Sequence, residues 1–268
     1  MEKLLKFCLS IILITSVAGC DSKQEKVEKA TEFGFRFYQG EPNHMNAFAY
    51  AIELDSTKAE NWRELSVTYL KRGIPHEWKK YYDKAVAHDP ETWQPWRGYL
   101  YLWFYRDYKN AIADFDASDT LTPNFIDTPQ GHSVDYWRGI AYLGLKDYKN
   151  SIAYFDKHIK KETEESGEDW VEINAFLYRG IAYYESKNIE KALENFDTLL
   201  RLFNNTSADA KYYKALILKE QQKNDEALNY VESAINDYNL GYYNNRPYVE
   251  TLRQIYPEDL ESLRNSLK

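Results

Sequence analysis

An all-α fold of stacked helix pairs is what this sequence predicts, on three observations. The pentapeptide RGIAY occurs at Arg138–Tyr142 and again at Arg179–Tyr183, 41 residues further on. The match extends without a gap over RGIAYLGLKDYKNSIAYFD (138–156) and RGIAYYESKNIEKALENFD (179–197), and self-similarity at a fixed period marks a repeat architecture. Inside each copy the apolar spacing is helical. Gly180 and Tyr183 stand three apart on a first helix, while Ala192, Phe196 and Leu199 follow the i, i+4, i+7 stripe of a second. The two helices join at KDYKN or SKNIE, and a glycine on the first lets a large residue of the second approach closely.

The N-terminus is read separately, because MEKLLKFCLSIILITSVAGC has the form of an export signal. Lys3 and Lys6 give it a basic start, and Phe7 to Val17 is an apolar run shorter than the roughly 20 residues a membrane span needs. Its end, VAGC at Val17–Cys20, resembles the lipobox of bacterial lipoproteins. The resemblance implies export, removal of residues 1–19, and a lipid on Cys20 that anchors the chain in the inner or outer membrane of the cell envelope. Residues 20–29, the lipidated cysteine and DSKQEKVEK, then read as a polar tether.

Cys8 and Cys20 are the only cysteines, so the mature chain of 249 residues has no thiol pair to oxidise and depends on its core. Loss of the leader takes away Glu2, Lys3 and Lys6 and leaves 41 acidic and 32 basic side chains, a net charge of −9. That balance argues against nucleic acid, whose phosphates demand clustered Lys and Arg.

The repeat can be followed in order. HMNAFAYAIELDS (44–56) reads as a second helix, with Phe48 and Ala51 in register and His44 at the small site. NWRELSVTYLKRGIPHEWKKYYDKAVAHDP (61–90) is a full pair carrying Trp62, Leu65, Tyr69, Tyr82, Ala85 and Pro90, with Trp78 where alanine is usual. RGYLYLWFYRDYKNAIADFD (97–116) is the next, with one extra residue before its turn. The two RGIAY copies follow, and KYYKALILKEQQKNDEALNYVESAI (211–235) supplies Ala215, Ala227 and Ala234.

This order of small residue, tyrosine, alanine, large apolar residue and closing proline resembles the tetratricopeptide repeat. The resemblance implies a right-handed α-solenoid of about six helix-turn-helix repeats over residues 30–241. The 41-residue period exceeds the family's usual length, and the excess falls in DTLTPNFIDTPQGHSVDYW and KKETEESGEDWVEIN, read as long loops near 117–135 and 160–174. Residues 242–268 read as C-terminal capping helices, with Pro247 and Pro257 each placed to begin one.

No phosphate loop, CxxC, HExxH or nucleophile elbow is present, and His44, His76, His88, His132 and His158 are dispersed. The acids Glu162, Glu164, Glu165, Glu168 and Asp169 lack the alternation and glycine of a calcium loop and read as a solvated charged loop. The sequence therefore predicts no catalytic residues, no metal, no cofactor and no enzyme.

Aromatic residues are in excess, with 24 Tyr, 12 Phe and 7 Trp. In tetratricopeptide proteins the residues two and three before the small site, and one and four after it, face a concave groove. That rule selects Trp96, Tyr99, Tyr136, Trp137, Leu143, Leu177, Tyr178, Tyr184, Tyr212 and Tyr213. The same rings would serve equally well to pack on the neighbouring repeat. The Lys, Asn and Arg clamp that grips chaperone C-termini is missing from these places. The reading that follows is a membrane-anchored, non-enzymatic scaffold binding a peptide or protein in an aromatic groove. The rivals are an envelope protein binding glycan or another small ligand, and an immunity or inhibitor lipoprotein.

Overall fold

The structure, a computed structural model, describes residues 21–268, so the signal sequence and the lipidation expected at Cys20 lie outside the described residues. The predicted fold class holds: the described chain is an α-solenoid of helix pairs. It divides into two compact units, one ending at Asp89 and one beginning at Pro90. The first contains α1 (Lys23–Gly34), α2 (Pro42–Leu54), α3 (Ala59–Lys71) and α4 (Pro75–His88). The second contains α5 (Pro90–Leu100), α6 (Tyr108–Leu121), α7 (Val134–Gly144), α8 (Tyr148–Ser166), α9 (Ile173–Glu185), α10 (Ile189–Leu202), α11 (Ala208–Glu220), α12 (Asn224–Asn239) and α13 (Pro257–Asn265).

Consecutive helices pair, and four of the six described pairs close on one contact. A Cβ built on Gly139 would lie 2.8 Å from Phe155, and one on Gly180 would lie 2.6 Å from Phe196. Gly98 against Phe115 and Gly34 against Phe48 repeat the arrangement at 2.7 Å. All four phenylalanines are fully buried, so the glycine is what lets the ring lie on the opposite backbone. The two RGIAY copies place the same glycine, Gly139 and Gly180, at two of these four contacts.

The turns follow the same economy. Asp107, Asp147 and Asn188 are N-caps whose side chains accept from the backbone NH of Asn110, Asn150 and Lys191. Before the last two caps, Lys146 and Lys187 sit in the left-handed region, and the NH of Asp147 and Asn188 reaches back to the carbonyls of Tyr142 and Tyr183 at 2.9 and 2.8 Å. The tyrosine of RGIAY thus also supplies the acceptor that ends its helix.

The extra residue before the third turn is absorbed by a π-helical turn over Tyr101–Tyr105, which continues α5. There the NH of Asp107 bonds the carbonyl of Tyr101 at 3.0 Å, one residue further back than in the other turns.

Four expectations are corrected. Residues 23–29 are not a tether but the first turns of α1, which Ser22 and Glu25 start with a capping box. Residues 160–166 are not loop, because α8 runs on to Ser166 with Lys160–Glu164 and Lys161–Glu165 pairs one turn apart. Glu162, placed in a solvated loop from sequence, is half-buried and accepts from the NH of Glu172 at 3.1 Å. Pro247 begins no helix. The chain from Leu240 to Tyr256 is irregular, and one capping helix, α13, follows.

That helix covers the last pair. Ile255, Leu260, Leu263 and Leu267 pack with Ala208, Ala215, Leu218, Ala227, Val231 and Ala234 in one buried cluster. The final repeat therefore leaves no apolar edge open on this side. Among the described residues, no helix is long and apolar enough to cross a membrane.

Candidate functional site

In the second unit the first helices of the four pairs, α5, α7, α9 and α11, present one face, and the selected aromatic residues lie on it. Tyr99, Tyr136, Trp137, Tyr178 and Tyr213 are buried; Trp96, Tyr184 and Tyr212 are partly exposed. Leu143 and Leu177 are buried. Both alternatives left by the sequence are realised in single residues. The Tyr178 ring stacks on Phe155 of the preceding pair with centroids 6.3 Å apart, and Tyr213 stacks on Phe196 at 5.6 Å. The Tyr178 hydroxyl is nevertheless turned toward the groove.

The groove is not open, as the sequence reading assumed. The irregular segment after α12 lies in it. Asn244 donates from Nδ2 to the Tyr178 hydroxyl at 2.8 Å and from its backbone NH to Asp209 Oδ2 at 2.7 Å. Arg246 donates to the Tyr99 hydroxyl at 2.8 Å. Its guanidinium carbon lies 5.6, 4.9 and 5.2 Å from the ring centroids of Tyr99, Trp103 and Trp137, a three-walled cage for a planar cation. Arg106, from the turn after α5, packs on Trp103 at 5.7 Å and donates to the carbonyl oxygens of Glu250 and Thr251.

Arg253 closes the far end with a bidentate pair to Glu185, at 2.6 and 2.9 Å. The carboxylate hydrogen bond is the main reason the Arg253 guanidinium is held above its ordinary range. Thr251 Oγ1 donates to the carbonyl of Asn244 at 3.1 Å and folds the segment on itself.

Around the cage, His132 lies edge-on to Trp137 at 5.2 Å and 3.9 Å from Glu172, and burial holds its imidazole below the usual range. Trp96 packs edge-on against the cage wall Tyr99 at 6.1 Å and lines an open cleft of about 350 Å³ with Pro95, Phe125 and Pro129. Tyr184 donates to Glu220 at 2.6 Å, and Tyr212 packs on the terminal cluster. Among the described residues, no group of three or more His, Cys, Asp or Glu could hold a metal ion.

Sequence reasoning missed Trp103, Arg106, Glu185, Asp209, Asn244, Arg246 and Arg253. The signal for Trp103 was present, since the inserted residue before the third turn rotates it onto the groove side. The others belong to a segment outside the repeat or to positions that the family rule does not select.

Asp209 is fully buried at the start of α11, and burial pushes its carboxyl up to about 7 against an ordinary 3.8. Between those values the folded chain holds a proton that the unfolded chain releases. Stability is therefore fullest below about 3.8 and is lost as pH rises through 7. Asp209→Asn, which keeps an acceptor for the Asn244 NH, is expected to stabilise the protein by about 2 kcal/mol more at pH 8 than at pH 5. Urea unfolding at the two pH values measures the difference.

The comparisons agree with this architecture. The tetratricopeptide repeat family model matches residues 177–239, and a second tetratricopeptide repeat model matches 136–160. No curated protein sequence matches the chain. Among solved structures, PilW, described as a widely conserved type IV pilus biogenesis factor, superimposes with a TM-score of 0.63 at 14% identity, covering 91% of this chain and 99% of its own. Pseudomonas aeruginosa pilF gives 0.58 at 17% identity over 83% and 97%. YrrB, a tetratricopeptide protein described as having an unusual peptide-binding site, gives 0.52 at 19% over 72% and 93%. At these identities the likeness is one of fold.

Proposed function

We propose that this chain is a non-enzymatic interaction scaffold of the bacterial cell envelope, held at a membrane by lipid on Cys20, that binds a partner peptide or protein in the groove of its second unit. One observation carries the reading: the groove already holds a peptide, the irregular residues 241–256 of the chain itself, by side-chain hydrogen bonds, a bidentate ion pair and arginine stacked on aromatic rings. Those are the contacts by which interfaces recognise peptides, and Trp, Tyr and Arg are their usual anchors. The likeness to a type IV pilus biogenesis factor, and to a protein with a peptide-binding site, supports the same class of role.

Two measurements test it. Cys20→Ser should move the exported protein from the membrane to the soluble fraction; retention after a carbonate wash would remove the lipid anchor from the reading. A photoreactive phenylalanine analogue at Trp96, on the open cleft beside the groove, should crosslink to one envelope protein identifiable by mass spectrometry. Crosslinks to glycan, or none above background, would sink the protein-scaffold reading.

A further inference from the structure

We propose that the groove of the second unit is a receptor for a turned, arginine-bearing peptide, and that residues 244–253 are its resident competitor. This rests on the scaffold reading and names the partner's chemistry. The ligand's first guanidinium takes the cage of Tyr99, Trp103 and Trp137, where Arg246 lies, and a second cation seven positions further on takes Glu185, where Arg253 lies. Asp209, at the start of α11, receives a backbone NH of the ligand, as it now does from Asn244.

The charge of the site fits such a ligand. Glu185 and, beside His132, Glu172 lie along the face, and the aromatic walls present their negative faces to whatever cation enters. Arg106 is the cation of the rim. It holds the carbonyl oxygens of Glu250 and Thr251, which selects a peptide backbone over a second positive group.

The segment is also built to leave. It has no helix or ladder of its own beyond a single bridge between Arg246 and Val249. Asn245, Pro247, Tyr248 and Glu250 are exposed, and only Thr251 and Leu252 of the segment are buried. Tyr248 and Arg253 sit at φ 71° and 58°, in the left-handed region that non-glycine residues avoid, so side-chain anchors hold a strained backbone. A tethered occupant of this kind acts at an effective concentration of order millimolar, so an external ligand wins by better anchors and an unstrained chain.

The probe is a fluorescent peptide of residues 241–256, GYYNNRPYVETLRQIY. Its anisotropy is titrated with the full chain and with the full-chain variant Arg246→Ala/Arg253→Ala, whose own segment has lost its anchors. The variant should bind the peptide at least about tenfold more tightly than the wild type. A peptide with alanine in place of both arginines should lose at least about tenfold on the variant. Equal binding by variant and wild type, or binding indifferent to the peptide's arginines, overturns the proposal.

If the variant does not fold, hydrogen exchange on the wild type decides. Excess peptide should speed exchange of the Asn244 NH, and unchanged exchange at millimolar peptide overturns the proposal. A wild type that is a dimer by light scattering, with segments exchanged, makes a second copy the occupant and also overturns it. A protein crosslinked at Trp96 with the same yield in the double variant defeats this inference and leaves the scaffold reading standing. Loss of the crosslink alone defeats that reading, while the peptide titration still reports on the groove.

Discussion

Gly180→Val is expected to destabilise the second unit by about 3 kcal/mol, lowering its melting temperature by about 6–12 °C. The reason is geometric. Even the first added carbon would stand 2.6 Å from Phe196 Cε1, closer than carbons pack, and Phe196 is fully buried with no free direction to move. Thermal unfolding by circular dichroism gives the number, and a cycle with Phe196→Leu identifies the cause. The double variant should recover part of the loss, because the shorter side chain vacates the space the valine needs. If the two losses add without recovery, the glycine matters for some other reason than this contact.

Arg138→Ala is expected to cost about 3–5 kcal/mol, the range for removing one partner of a buried charged group. Arg138 is fully buried and bonds Asp116 at 3.0 Å, Asp119 at 2.6 Å and Asp135 at 2.9 Å, with a further bond to the carbonyl of Phe115. Burial opposes its charge, and the carboxylates around it outweigh that, so its guanidinium is held above the ordinary range. Removal leaves Asp135, itself buried, with only Lys157 as a cationic partner.

The equivalent Arg179 provides the internal control. It pairs with Asp156, which is half exposed, and with the buried Asn195, so Arg179→Ala should cost about 1–2 kcal/mol, less than Arg138→Ala. Urea denaturation of the two variants distinguishes a buried network from a surface pair. Equal losses would mean that the pentapeptide's arginine acts through its helix and not through its surroundings.

This pair of residues shows where legibility stopped. The repeat register, the pairing of helices and the glycine-to-phenylalanine contact were readable because they depend on identities at fixed spacing. The worth of Arg138 against Arg179 was not, because it depends on whether acids from the preceding pair converge there. The tether reading of residues 23–29 failed for a different reason. Ser22 and Glu25 spell a capping box, but α1 has only Val27 and Gly34 buried, so its apolar stripe is too thin to announce a helix.

The groove was half legible. A family rule selected aromatic residues on the first helices, and of these Tyr99 and Trp137 surround Arg246 while Tyr178 bonds Asn244. What fills the groove comes from a stretch with no periodicity, and Arg246 reaches a hydroxyl 147 positions away in the chain. Contacts of that span leave no local pattern to read.

The π-helical turn at Tyr101–Tyr105 has a consequence for how ligand chemistry is acquired. One inserted codon gives α5 an additional position, and the residue it brings round, Trp103, is the wall nearest the Arg246 guanidinium. Gly98 and Phe115, which hold the pair together, lie outside the inserted turn. Deleting one residue from this turn should therefore abolish the cage while sparing the pair. Specificity in such a chain is set by length as well as by identity, and a library of point substitutions, however deep, does not sample the change that made it.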